Sequence, residues 1–128
     1  MGNISNNIAA EWFLGVPFND TVNPRTEIAE IAQSVLGDKL LGLQLGNEPD
    51  LYFNNELRGT NYSQSQYTVE WGEVLADYQQ DPLISNSSMF IAPSVCCGGS
   101  IGWTPESVWD TGFLNDYANS LAYMSVQQ

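Results

Sequence analysis

The stretch LLGLQLGNEPDLY, Leu40–Tyr52, decides how the chain reads. Its first six residues, Leu40–Leu45, are apolar apart from Gly42 and Gln44. Hydrophobicity this continuous marks a parallel strand buried on both sides. The run stops at Gly46-Asn47-Glu48-Pro49, and Pro49 bars regular continuation of the strand. A strand that stops on an amide and a carboxylate delivers both to its C-terminal end. In a parallel α/β barrel that is the end where catalytic side chains sit. Glu48 is the candidate catalytic residue, and Asn47 is a polar neighbour able to contact a ligand.

The residues on either side fit the same plan. Trp12–Val16, WFLGV, reads as a buried strand ending in a turn at Pro17 and Asn19-Asp20. Asn23-Pro24 reads as a helix start, with Asn23 as N-cap and Pro24 at the first helical position. Ile28, Ile31, Val35 and Leu36 recur at helical spacing up to Gly37, a good C-terminal stop. Beyond Glu48, the loop Pro49–Tyr62 is longer than most strand-to-helix connections, as functional loops often are. Ser63 and Gln66 have the spacing of a capping box, and Tyr67, Trp71, Val74, Leu75 and Tyr78 continue a helix until Asp81-Pro82. Met89–Pro93 is predicted as a third strand, followed by a Gly- and Cys-rich loop over Ser94–Gly102. Thr104-Pro105 opens a short helical turn through Trp109, and Gly112 separates it from a helix over Phe113–Leu121. Tyr123–Val126 is the fourth strand, whereas Met1–Ala10 is polar and reads as a loop. The order β-α-β-α-β-α-β argues for sequentially adjacent parallel strands joined by right-handed crossovers. In this arrangement Leu43 and Leu45 are expected to face the lumen of a barrel.

Composition narrows the function classes. The chain has 128 residues, three basic against fifteen acidic, no His, and a net charge of -12. Nucleic acid and anionic membrane surfaces would repel it, and no apolar run reaches the length of a membrane span. Cys96 and Cys97 are adjacent. This gives no metal-ligand spacing, and neighbouring Cα atoms are closer than a disulfide usually spans. No metal and no cofactor are expected. Asn3, Asn19, Asn61 and Asn86 each begin an Asn-x-Ser/Thr sequon, which suits a secreted glycoprotein. The start of the chain lacks the basic and apolar regions of a signal peptide, so a secreted protein would have its N-terminus upstream.

The motif LQLGNEPDLY resembles the Asn-Glu segment of family-79 glycoside hydrolases, the β-glucuronidase and heparanase family, and their fungal members in particular. Weaker likeness runs through WFLGVPFND, residues 12–20, and WTPESVWDTGF, residues 103–113. It covers most of this chain but only the central part of the family's catalytic barrel. The resemblance implies a partial (β/α)8 TIM barrel, about half of one, with four parallel strands and three helical crossovers in one incomplete domain spanning residues 1–128. It implies a retaining mechanism with Glu48 as acid/base and Asn47 hydrogen-bonding the sugar 2-hydroxyl. The ligand would be a glucuronide-type carbohydrate, and Tyr52 and Trp103, in strand-end loops, are candidates to stack on sugar rings. A retaining site needs a second carboxylate about 5–5.5 Å from the first. In the family it is a Glu on a later strand, beyond Gln128, and neither Asp20 nor Asp50 matches it. The isolated chain is therefore expected to be inactive. The alternative is a non-catalytic carbohydrate-binding or interaction module derived from such a barrel. Either way, four strands leave two open edges, which invite self-association.

Overall fold

The computed structural model describes residues 9–127, together with Ile4 and Asn7. The loop read over Met1–Ala10 and the sequon at Asn3 lie largely outside the described residues. Four strands form one sheet: β1 (Trp12–Val16), β2 (Leu40–Leu45), β3 (Phe90–Val95) and β4 (Leu121–Val126). Their order in the sheet is β1-β2-β3-β4, and every neighbouring pair is parallel. The first crossover carries helix α1 (Thr26–Leu36) and the second α2 (Gln64–Gln80). The third is split into α3 (Pro105–Trp109) and α4 (Phe113–Tyr117). The split falls at Gly112, whose positive φ of 95° ends one helix and starts the next.

Local chemistry accounts for most boundaries. Ser63 and Gln66 form the reciprocal capping box at the start of α2, and Thr104 and Ser107 build a second one for α3 behind Pro105. The start of α1 differs from expectation. Asp20 takes the backbone N–H groups of Val22 and Asn23, and the Asn23 side chain also turns to Asp20. Asn23 is thus held in a turn, and the helix begins at Thr26 with Arg25 as an N-cap that makes no side-chain capping bond. Strand β3 runs two residues past Pro93, because a register shift between Pro93 and Val95 accommodates a residue with no N–H to give. The helix expected to reach Leu121 ends at Tyr117. A 3-10 turn over Ala118–Ser120 follows, and Leu121 pairs with Phe90 instead.

The two faces of the sheet differ. The helix-facing side is dry and aromatic: Trp71 of α2 meets Phe90 at 6.1 Å and Phe113 at 5.0 Å between ring centroids, and Tyr78 meets Phe90 at 5.4 Å. Leu43 and Leu45 belong to this core and are fully buried in it. The expectation that they face a lumen is corrected. Alternation along β2 then puts Gly42 and Gln44 on the other face, where a Cβ on Gly42 would lie 2.9 Å from Ile91 Cδ1. On that face Phe13 of β1 and Tyr123 of β4 touch edge-on, with centroids 5.2 Å apart. In a flat sheet these strands would be about 14 Å apart, three spacings of about 4.8 Å. The sheet is therefore strongly curled, with its concave side away from the helices.

Candidate active site

Strand β2 ends by pairing Gly46 N–H with the Val16 carbonyl at 3.0 Å. Gly46 has φ of +79°, and a Cβ there would meet Tyr52 Oη at 2.5 Å. Only glycine lets the following loop fold back this closely. Asn47 comes next, exposed on the rim, and its N–H donates to Tyr52 Oη at 3.3 Å. Its side-chain Oδ1 accepts from Gln44 Nε2 at 2.9 Å and from Gln127 Nε2. Glu48 is half-buried and left-handed, with φ 52° and ψ 59°. Its N–H donates to the Ser94 carbonyl of β3 at 3.1 Å. Among the described residues its carboxylate makes no hydrogen bond or ion pair. The strand-end position read from the sequence is thus where the structure places Asn47 and Glu48.

The backbone beneath Glu48 is held from both sides. Pro49–Leu51 form a 3-10 turn. Within it Asp50, almost fully buried, accepts the N–H groups of Cys96 at 3.0 Å and Cys97 at 2.8 Å. This carboxylate ties the β2 loop to the β3 loop and is committed to that task. The two cysteines are joined to each other as a disulfide. The expectation against that pairing is corrected: the sulfurs reach each other through the side chains although the Cα atoms are only 3.8 Å apart. Asp20 remains exposed in its turn, where the N–H of Asn23 holds its carboxyl below the usual value.

The sugar-stacking candidates Tyr52 and Trp103 are both buried. They belong to one ladder of rings: Phe18–Tyr52 at 6.3 Å, Tyr52–Tyr62 at 5.9 Å and Tyr62–Trp103 at 5.9 Å. Tyr52 still borders a depression of about 370 Å³ with Gly15, Phe18 and Asn47, a volume within the small-ligand range. Trp103 does not line it. Burial pushes the Tyr52 phenol up to about 12, so its hydroxyl stays protonated.

The residues that sequence reasoning missed are those holding this ladder in place. Arg58 lies 5.6 Å from the ring centroids of both Tyr52 and Tyr62. It pairs with Glu70 at 3.0 Å and donates to the Phe18 carbonyl at 3.0 Å. Tyr62 donates to Glu70 at 2.9 Å. An arginine between Tyr52 and Tyr62, in a chain with only three basic residues, was a usable signal. Gln44, the one side chain in β2 able to hydrogen-bond, was another. Among the described residues no cluster of His, Cys, Asp or Glu could hold a metal ion, and no helix is long and apolar enough to cross a membrane. Searched against protein-family models and against curated proteins, the chain matches none.

Proposed function

We propose that the chain carries the acid/base half of a retaining glycoside hydrolase site of the β-glucuronidase type, built on part of a (β/α)8 barrel. One observation carries this reading. Asn47 and Glu48 stand at the C-terminal end of a parallel strand, in a curled sheet whose strands follow sequence order. Sequential order is what a barrel requires, whereas doubly wound sheets reverse direction at a switch point. Glu48 would protonate the leaving oxygen and then, as carboxylate, activate water. Its carboxylate is free of protein partners among the described residues, as a group that must exchange protons with substrate needs to be. Asn47 would hydrogen-bond the sugar beside the bond being cleaved.

Under this reading a nucleophilic carboxylate on further barrel strands completes the pair, because Asp50 is occupied by two amides and Asp20 by a turn. The same strands, or a second copy of the chain, would cover the open edges of β1 and β4, where Phe13, Met124 and Val126 are about half exposed.

The test compares hydrolysis of an aryl β-glucuronide by this chain, by a barrel completed with the missing strands, and by its Glu48→Gln variant. The chain alone should show no useful turnover. The completed barrel should act with retention of configuration, and Glu48→Gln should lower its rate by about 10²–10⁴-fold, the usual contribution of general acid–base assistance. An unaffected Glu48→Gln rate would refute the assignment. Sugar binding by the chain, with no turnover by the completed barrel, would favour the non-catalytic carbohydrate-binding module.

A further inference from the structure

The Asn47 carboxamide is held in one orientation, and a backbone atom sets it. Gln44 Nε2 lies 3.1 Å from the Gly46 carbonyl oxygen. A carbonyl oxygen can only accept, so the Gln44 atom facing it must be the amide nitrogen. That nitrogen also donates to Asn47 Oδ1 at 2.9 Å. Gln127 follows β4, and its own N–H is fixed to the Val95 carbonyl at 2.9 Å. Its Nε2 donates to the same Asn47 oxygen. Both lone pairs of Oδ1 are then filled. Turning the Asn47 amide over would set its N–H group against that of Gln44, whose orientation the Gly46 carbonyl fixes, and lose that bond. The two glutamines come from β2 and from beyond β4, and they meet because the sheet is curled.

We propose that Gln44 and Gln127 are positioning residues that clamp Asn47 so that its Nδ2–H group is presented to the ligand. The ligand atom opposite must then be a hydrogen-bond acceptor. If the glycosidase reading holds, on which this step rests, the site takes glycosides with a hydroxyl oxygen at that position and rejects those with an ammonium group there. The chain's cations do not supply an alternative contact. Arg58 is engaged with Glu70, Arg25 with Glu27, and Lys39 lies at the opposite end of β2.

The clamp is tested without ligand, by side-chain amide hydrogen exchange in the isotope-labelled full chain. The Asn47 Nδ2 protons should exchange roughly fivefold faster than the Gln44 Nε2 protons, the scale of one hydrogen bond. In Gln44→Glu the carboxylate only accepts, so Asn47 must turn Nδ2 toward it and its protons should slow. If that variant does not fold, Gln127→Met serves. It keeps the Gln44 bond, and the wild-type order of rates should persist. Asn47 protons as slow as those of Gln44 in the wild type, or unchanged in folded Gln44→Glu, would overturn the clamp. Methyl β-glucuronide should then shift the Asn47 Nδ2 resonances of the wild type and not those of Gln44→Glu. Methyl 2-amino-2-deoxy-β-glucoside should shift neither. No shift with the glucuronide while the exchange order holds would overturn the glycosidase reading and leave the clamp standing. A shift with the amino sugar would overturn the proposed selectivity.

Discussion

The helix-facing and concave sides of the sheet use their side chains in opposite ways. On the first, Leu43, Leu45, Phe90 and Trp71 are fully buried in one hydrophobic cluster. On the second, Gln44, Ser94, Ser125 and Gln127 bond to one another or to Asn47, Phe13 and Tyr123 stay about half exposed, and Glu48 stands at the rim with its carboxylate unpaired among the described residues. Stability therefore resides under the helices, and the groups able to do chemistry sit where little stability depends on them. This division is what lets the rim of such a parallel sheet change without unfolding it.

The largest expected effect tests the dry side. Trp71 contacts Phe90, Phe113 and Tyr117 and has no exposed surface. Trp71→Ala should cost about 3–5 kcal/mol, the range for large aromatic truncation in a core, as read by urea unfolding. Gln44→Ala on the other face should cost about 1 kcal/mol or less, since it removes hydrogen bonds near the surface. Equal losses at the two positions would erase the distinction.

Asp50 lies between the two regimes, a buried charge placed at the rim. Asp50→Ala would leave the N–H groups of Cys96 and Cys97 without their acceptor. Hydrogen bonds to a charged group are worth about 1.5–3 kcal/mol, so the loss should approach that of a core truncation. Faster amide exchange at Cys96 and Cys97 would locate the damage. A neutral result would mean that the β2 and β3 loops do not depend on each other through this carboxylate.

Sequence reading reached the topology because the signals were local. Apolar runs, Gly37 and Pro82 stops, and the Ser63–Gln66 box each act within a few residues. It missed what depended on distant partners. Which way Leu43 and Leu45 face is set by the register of the whole sheet against α1 and α2, and a slip of one residue reverses every side chain. Asn23 suited an N-cap by type, yet its side chain turns to Asp20. At the rim, the Asn47–Glu48 position follows from one strand end. The roles of Arg58, Gln44 and Gln127 appear only when four strands and a loop are assembled. Tyr52 and Trp103 were read as open aromatic faces, and whether a ring stacks on protein or on ligand is not a property of its sequence position.

The buried tyrosines give the comparison a pH axis. Burial raises the Tyr52 phenol from 10.0 to about 12, and burial followed by the nearby Glu70 carboxylate raises Tyr62 further. A group whose folded pKa lies above its unfolded value stabilises the fold fully below the unfolded pKa and loses that contribution as pH rises through the folded one. Tyr67, Tyr78 and Tyr117 are raised by burial as well. Stability should therefore hold to about pH 10 and decline above it, because unfolding releases phenol protons, with Tyr52 contributing one share. Tyr52→Phe should lose the bond to the Asn47 N–H, a matter of about 1 kcal/mol, and should flatten the alkaline decline. A decline as steep in Tyr52→Phe as in the wild type would assign it to other groups.

The smallest expected change bears most directly on Glu48. Its φ of 52° lies in the left-handed region, which costs an L-residue about 1–2 kcal/mol and a glycine nothing. Glu48→Gly should release that strain, while the greater freedom of glycine in the unfolded chain takes back about 0.4–1 kcal/mol. No side-chain bond is lost, since the carboxylate has no partner among the described residues. The net result should be neutral to slightly stabilising, by up to about 1.6 kcal/mol on those two figures. Ser94 supplies the control. It shares the left-handed backbone, with φ of 54°, but its hydroxyl is bonded to that of Ser125 at 2.5 Å. Ser94→Gly relieves the same strain and breaks a partly buried bond, so it should be the more destabilising of the two by about 1 kcal/mol. If Glu48→Gly proved the more damaging, Glu48 would be a structural residue and its strain would need no chemical reason. If it proved harmless, a strained glutamate at a strand end would be held there against the local preference of the backbone, as residues kept for function are.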